Sequence, residues 1–487
     1  MSNGTSRRVA NRGRGQAGGS VRSRISANDQ LWFFGLAAFL VITASLGGGS
    51  RPDILSLVIL RPIAVLACVL AAWRIATADV RRYCFAFAMC IAIIGLTFIH
   101  LVPLPPALWQ SLPGRSLVVT VDAEIGLQGV WRPLTLAPPE TLNALFSLIV
   151  PSAVLLLSAP LDRVLLERLL LVVIAIGLVS GLLGLLQLVG SPTGPLFFYA
   201  HTNYGAATGL FANRNHQAIF LATLFPMLAT LVTLRSRGEH AMRDGYAALA
   251  AGLFLIPLLL ITGSRAGMLL GALGLGSAPF LLRFQPSRRS STGVSFWYRI
   301  SSPRALAIVG VLLAVGLTIL TVGMSRAVSV SRFMEVGANE ELRFKVWPVI
   351  ASSIPTYLPL GSGIGSFAAV FQIMEPDRIL RPTYLNHAHN EVLEVLLTAG
   401  IPGAVLLVTA LIGWAVAVRR AFTIPLAQDG VLFARLGLVV TALLALGSIG
   451  DYPLRTPFLA ALLVVAALWS GSVGRRSAKQ PGNQAGR

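Results

Sequence analysis

Apolar stretches long enough to cross a membrane recur along almost the whole chain and are separated by short polar breaks. A helix needs about 20 apolar residues to span the hydrocarbon layer, where all backbone polar groups must be satisfied internally. The pattern therefore predicts an all-α polytopic membrane protein with about twelve transmembrane helices. The predicted spans are 31–47, 54–73, 85–102, 142–159, 165–189, 216–234, 246–262, 266–282, 305–323, 390–417, 431–449 and 456–471.

Composition supports the same fold class. The chain has 487 residues, of which 55% are hydrophobic and only 12% charged, with a mean hydropathy of +0.74. Soluble domains average about 25% charged residues, so a soluble fold is excluded. The net charge of +20 is spread between the apolar spans. We therefore interpret it as a signal of membrane topology and expect no nucleic-acid partner.

The basic residues also predict orientation. Twelve spans place both termini on one side of the membrane, and the loops on that side are the ones rich in Lys and Arg. The positive-inside rule makes this side cytoplasmic. We predict a disordered basic tail at 1–30 that contacts membrane lipids, a transmembrane domain at 31–471 and a cytoplasmic tail at 472–487.

Two predicted external segments are longer than tight loops, 103–141 and 324–389. The second is expected to be partly helical and to lie along the outer surface of the membrane. The cytoplasmic loops, by contrast, are too short for a nucleotide-binding domain, and the sequence has no phosphate-binding loop motif. Any chemistry is therefore expected on the outer side.

Three polar clusters open predicted helices that run from outside to inside: 211–216, 262–267 and 386–391. The unpaired N–H groups of three helix N-termini would then face the outer side. Together with Arg214 and Arg265 they favour an anion, and a lipid-linked pyrophosphate fits that location. The alternative for each arginine is an interfacial side chain whose head reaches water.

The third cluster carries the candidate base. His389 can accept a proton near neutral pH and lies at the mouth of a long span, within one turn of His387 and Asn390. Glu391 and Glu394 could orient this histidine or the acceptor. Two histidines, two asparagines and two acids within nine residues favour a functional cluster.

Other polar residues have simpler interpretations. His216 is interpreted as a helix cap or a satisfied interfacial histidine, and Trp347 as an interfacial anchor. The turn 451–455 is interpreted as an ion-paired hairpin. Arg343 lies beside acids in the large external segment and is a second candidate for phosphate binding.

These clusters resemble the O-antigen ligase and polymerase superfamily of bacterial envelope glycosyltransferases. The most specific likeness is His389-Asn390, followed after nine residues by Gly400-Ile401-Pro402-Gly403. The resemblance covers about 140–470. Further similarity lies in Asn213 to His216, Ser264-Arg265, Arg343 with Trp347, 359–363 and 451–455.

The resemblance implies a GT-C-like membrane fold that uses an undecaprenyl-diphosphate-linked glycan at the periplasmic face of the inner membrane. It further implies inversion at the anomeric carbon and no metal or cofactor. His389 would activate the acceptor hydroxyl, while Arg214 and Arg265 would hold the pyrophosphate. The predicted substrate-binding residues are Arg214, Arg265, Arg343, His387, Asn390 and Glu391.

The acceptor remains open at this point. A ligase would use lipid A core and a polymerase would use a growing polysaccharide, and the His389 signature favours a ligase. A transporter of lipid-linked glycan is the alternative from another class. It would need charges along a path across the bilayer, yet only Arg61 lies deep in a predicted span. A purely structural scaffold gives no reason for the third cluster.

Overall fold

The structure is a computed structural model that describes residues 26–191, 193–235, 241–282, 345–380, 384–426, 428 and 430–472. Described residues are mostly helical. In chain order the helices are α1 (Ala27–Leu46), α2 (Ser56–Ala72), α3 (Thr77–Arg82), α4 (Cys84–Ile99), α5 (Pro106–Trp109), α6 (Ser116–Glu124), α7 (Pro138–Ser147), α8 (Ile149–Ser158), α9 (Arg163–Val189), α10 (Arg214–Arg235), α11 (Ala241–Leu260), α12 (Arg265–Gly276), α13 (345–357), α14 (Phe367–Met374), α15 (Glu391–Thr423), α16 (Val431–Gly450) and α17 (Pro457–Ser470).

Helices occupy eleven of the twelve predicted spans, and the twelfth, 305–323, lies outside the described residues. Among the described residues, six helical segments are long and apolar enough to cross a membrane: α1, Pro138–Ser158, α9, α10, α15 and α16. Shorter apolar helices stand at α2, α4, Gly245–Leu260 and α17. An all-α membrane protein is thereby confirmed, while the number of twelve spans stays a prediction.

The centre of the helical bundle is α10. Every residue of this helix from His216 to Thr230 is buried, and α9, α11, α12 and α16 pack around it. A helix that is enclosed on all sides lies in the interior of a bundle. In contrast, α15 leaves Leu411 and Ile412 exposed by 62% and 58%, as expected of an apolar helix that faces lipid.

A smaller layer, which we call the external layer because it lies in the two segments predicted to be external, covers the N-terminal end of α15. Its buried cluster joins Val346 and Ile350 of α13 to Phe367 and Phe371 of α14 and to Leu397 of α15. Beside it, a short antiparallel strand pair joins Pro103–Leu104 to Arg132–Pro133. The predicted external segment 103–141 therefore contains folded structure of its own.

α15 is interrupted at Gly400, whose backbone angles of φ 57° and ψ −145° are not helical. Pro402 lacks an N–H group and so cannot continue the helical bonding pattern there. The Ile401 N–H donates instead to the carbonyl oxygen of Pro359 at 2.8 Å. At the interruption, the backbone of α15 therefore bonds to the loop at 359–363 and not to its own preceding turn.

The loop at 359–363 satisfies the carbonyl groups that this interruption releases. Ser362 N–H donates to Leu397 O at 3.0 Å, and Gly363 N–H donates to Thr398 O at 2.8 Å. On its other side the loop is bonded to the external layer, because Leu136 N–H donates to Ser362 O at 2.8 Å. Buried backbone groups are thereby paired, and the start of α15 is fixed to the layer above it.

Replacing Gly400 by alanine is expected to lower the free energy of unfolding by about 2 kcal/mol or more. A Cβ at this position would lie 2.2 Å from the Pro359 carbonyl oxygen, and the positive φ is strained for any side chain. Thermal unfolding of the purified protein in detergent measures the change. Gly95→Ala is the matched control, because a Cβ there has no atom within 4 Å. Equal melting temperatures for both variants would contradict the role of Gly400.

Candidate active site

The three polar clusters predicted at helix starts do begin helices in the structure. Ser264 caps α12 by accepting from Gly267 N–H at 3.0 Å, and Asn390 caps α15 by accepting from Val392 N–H at 3.0 Å. Asn203 caps the first residue of α10, because its Oδ1 accepts from Arg214 N–H at 3.0 Å. Such side-chain caps satisfy donors that a helix leaves unpaired at its start.

Arg214 lies next to the loop that precedes Arg265. Its Nη1 is 3.5 Å from the position that a Cβ on Gly263 would occupy, and Gly263 takes a left-handed φ of 64°. Arg214 is partly buried and Arg265 is exposed. The structure therefore brings the first and second clusters together, with two guanidinium-bearing helix starts at one end of the bundle.

Asp451 connects the first cluster to the last turn of the chain. This carboxylate follows α16 directly, and only 2% of its side chain is exposed. Asn215 Nδ2 donates to Asp451 Oδ2 at 2.6 Å, and Tyr452 N–H donates to Asp451 Oδ1 at 2.9 Å. A buried carboxylate is stable only when such donors replace the water that it has lost.

Two histidines flank Oδ1 of this carboxylate, the oxygen that also accepts from Tyr452 N–H. His389 Nδ1 lies 3.3 Å from Asp451 Oδ1, and His216 Nε2 lies 3.4 Å from it. Burial alone would raise the pKa of Asp451, but the attraction of the two imidazoles, which is greatest when they are protonated, lowers that pKa well below its usual range. The carboxylate therefore stays ionised, and its charge favours a proton on Nδ1, the nitrogen of His389 that faces it at 3.3 Å. In that tautomer Nε2 carries the lone pair that a general base requires.

The backbone holds His389 in an uncommon conformation. Its φ of 51° lies in the left-handed region, which costs a residue with a side chain on the order of 1–3 kcal/mol. The neighbouring Ala388 is held on both sides: Trp347 Nε1 donates to its carbonyl at 3.0 Å, and its N–H donates to Glu394 Oε2 at 2.8 Å. Trp347, interpreted from the sequence as an interfacial anchor, thus fixes the segment that carries the candidate base.

His387 belongs to a second charged group beside the first. Its Nδ1 lies 2.9 Å from Oε1 of Glu394, which is 1% exposed. Arg455 forms a two-bond pair with Glu391 at 2.9 and 2.8 Å and reaches Glu394 at 3.2 Å. The two glutamates that were candidates for orienting His389 therefore contact Arg455 and His387, while Asp451 faces His389.

Burial would lower the pKa of Arg455, but its two glutamate partners raise that pKa above its usual range. This guanidinium consequently remains charged and neutralises the acids at the start of α15. The interpretation of 451–455 as an ion-paired hairpin was wrong about the partners: Arg455 pairs with residues of α15, and Asp451 with histidines of two other segments.

Tyr452 packs among all three histidines. Its ring centroid is 4.4 Å from that of His387, 4.8 Å from that of His389 and 5.1 Å from that of His216. We call the group of Asp451, Tyr452 and these three histidines the histidine site. Its members come from the start of α10, the segment before α15 and the turn after α16.

The structure thus brings together most of the residues predicted from sequence. Arg214, His387, His389, Asn390 and Glu391 lie in or beside the histidine site. Arg265 begins the helix next to Arg214, while Arg343 lies outside the described residues. Asp451 and Tyr452 were not predicted as site residues. The available signal was an acid in a short turn between two apolar spans, where a charge is costly without a partner.

Comparison with known protein families gives a match over about a third of the chain. Residues 249–408 match the family model described as O-antigen ligase. The match includes Arg265, His387 and His389, whereas Arg214 and Asp451 lie on either side of it. The resemblance to the O-antigen ligase and polymerase superfamily is thereby confirmed. Together with the apolar helices, the match favours a bacterial membrane protein, and members of the matched family in general use lipid-linked polysaccharide substrates. No curated protein matches the chain.

Proposed function

We propose that the protein is a membrane glycosyltransferase that transfers a glycan from undecaprenyl diphosphate to an acceptor hydroxyl at the periplasmic face of the inner membrane. The acceptor is lipid A core or the end of a growing polysaccharide. The observation that carries the proposal is the pairing of His389 with the buried carboxylate of Asp451, beside helix starts that bear Arg214 and Arg265.

The proposed reaction is a direct displacement. His389 Nε2 takes the proton of the acceptor hydroxyl as its oxygen forms a bond to the anomeric carbon. The bond from that carbon to the diphosphate oxygen breaks, and the electron pair leaves with the lipid diphosphate. Configuration at the anomeric carbon is inverted, and the base gains the proton that the acceptor loses. Asp451 stabilises the imidazolium that forms.

Arg214 and Arg265 act in the proposal on the leaving group. A diphosphate gains negative charge as its bond to the sugar breaks, and guanidinium groups can meet two phosphate oxygens at once. Helix starts at the same end of the bundle add N–H dipoles of favourable sign. No nucleotide is required, since the lipid diphosphate already activates the sugar.

Arg265→Lys and Arg214→Lys are each expected to lower the rate of transfer by about tenfold or more, because a lysine keeps the charge but loses the planar two-bond geometry. Initial rates with the lipid-linked glycan measure this effect. Arg168→Lys, an exposed position near the start of α9, is the matched control and should keep the full rate. Full activity in both lysine variants would contradict the proposal that these arginines bind the diphosphate.

One incubation tests the proposed activity and its acceptor. The purified protein is mixed with an undecaprenyl-diphosphate-linked glycan, with and without lipid A core, and the products are separated by size. Glycan attached to the core supports a ligase, and a ladder formed without core supports a polymerase. No product from folded protein in either mixture would contradict the proposed transfer and favour a transporter.

A further inference from the structure

Arg61 is the one arginine that the sequence places deep in a predicted span, and the proposed transfer does not use it. It lies one and a half turns into α2, followed by Pro62. An arginine in a membrane helix costs on the order of 2.5–3.5 kcal/mol at the bilayer centre and less near the ends. An arginine in this position is expected to have a polar or acidic partner, and the sequence alone does not identify it.

The contacts of Arg61 within the described part of the chain are neutral. Its Nη2 donates to the side chain of Asn143 and lies 3.5 Å from Ser147 Oγ. The ring of Phe146 lies 5.9 Å from its guanidinium carbon. Its Nε is buried and has no hydrogen-bond partner. No ion pair to Arg61 occurs among the described residues, so both its charge and one donor are left unmatched there.

Arg61 lines a cleft between α2, α7 and the turn that precedes α17. We call it the arginine cleft, because Arg51 and Arg455 line it as well and none of its lining residues is acidic. The space in and over it is about 300 Å³, a figure that includes the open mouth, so the cleft is a shallow feature of the surface. Its polar wall also contains Asn143 and Ser147.

The other two arginines differ from Arg61 in their charge balance. Arg51 is paired with Asp53 at 3.0 Å, and Arg455 is paired with Glu391 and Glu394. Arg61 therefore supplies the excess positive charge of the cleft. Asn143 and Ser147 add a polar surface that can share an anion's hydrogen bonds.

The remaining walls are apolar. Leu57, Phe146, Val150 and Pro457 also line the cleft. On the adjoining surface of α2, Val58 is 72% exposed. Cationic and apolar side chains in one shallow cleft fit a molecule that carries a phosphate on a hydrocarbon chain, whereas a free sugar would leave the apolar residues uncovered.

We propose that the arginine cleft binds the phosphate group of a lipid at a site separate from Arg214 and Arg265. The phosphate meets the guanidinium groups of Arg61 and Arg51, and the hydrocarbon chain lies against Phe146 and Val150. The cleft adjoins the histidine site, because Arg51 Nη2 donates to Tyr384 Oη at 2.9 Å in the segment that leads to His389. This inference does not depend on the proposed transfer.

Lipid retention by the full-length protein in detergent tests the proposal. Native mass spectrometry counts the molecules bound after addition of phosphatidylglycerol, undecaprenyl phosphate or diacylglycerol, which has no phosphate. We expect Arg61→Gln to weaken retention of a phosphorylated lipid by at least tenfold. Asn143→Asp should do the same while leaving Arg61 in place, because a carboxylate beside Arg61 neutralises it.

Arg74→Gln is the matched control, since Arg74 stands near the other end of α2 and pairs with Asp29. It should retain lipid as the unaltered protein does. Retention of phosphatidylglycerol alone identifies a bilayer lipid as the ligand, and its displacement by undecaprenyl phosphate identifies the carrier lipid. Equal retention of diacylglycerol, or unchanged retention in both cleft variants, would overturn the proposal. Transfer activity is measured separately, so either proposal can fail without the other.

Discussion

Transfer activity is expected to fall by a factor of about 10² to 10⁴ when His389 is replaced by alanine, the range that a positioned general base contributes. In the proposed reaction the imidazole of His389 takes the acceptor proton, and alanine cannot replace it. Binding of the lipid-linked glycan should persist, because Arg214 and Arg265 are unchanged. Initial rates at saturating donor, together with donor binding, separate the two effects.

Two other histidines serve as comparisons for this experiment. His201→Ala alters an exposed histidine in the loop before α10 and should leave the rate unchanged. His387→Ala removes a partner of Glu394 and should lower the rate less than His389→Ala does. A larger loss in His387→Ala than in His389→Ala would transfer the assignment of base to His387.

Asp451→Asn is expected to lower the rate by about 10²-fold or more, although this residue was not predicted from the sequence as a site residue. An amide has no charge to stabilise the imidazolium of His389, and it does not fix the proton on Nδ1. The same initial-rate assay measures the loss. Asp377→Asn, at an exposed position in the external layer, is the matched control and should be fully active.

The same substitution also changes the pH dependence of stability. The pKa of Asp451 is lowered in the folded protein, so the unfolded chain binds a proton at that carboxylate more readily. Its stabilising contribution is therefore complete above the unfolded pKa of about 3.9 and is lost as pH falls through the folded pKa. Unfolding of the two proteins at several pH values should show the largest difference above pH 4. A difference that grew with acidification would contradict this assignment.

The fold was predictable from the sequence because membrane helices are specified by length and apolar composition, which are local properties. α9 and α16, for example, follow the predicted spans 165–189 and 431–449 within two residues at each end. The start of α15 was predictable for a similar reason, since Asn390 has the side chain that caps helices and acids follow it.

The partners of the site residues were not predictable in this way. Asn215 and Asp451 are 236 positions apart, and only the packing of α10 against α16 brings them together. Glu391 and Glu394 are close to His389 in sequence, so they were the natural candidates to orient it. The left-handed backbone at His389 directs its imidazole to Asp451, and this conformation leaves no trace in composition or spacing.

The interruption at Gly400 has a mechanical consequence for α15. The stretch before it, which begins with Glu391 and Glu394, is hydrogen-bonded through the 359–363 loop to the external layer. The longer helical stretch after it exposes apolar side chains, as expected of a segment that faces lipid. We expect a change in bilayer thickness to tilt the stretch after Gly400 more than the stretch before it, since the latter is bonded to the external layer through the 359–363 loop. The histidine site, beside the bonded stretch, would then keep its geometry in membranes of different thickness.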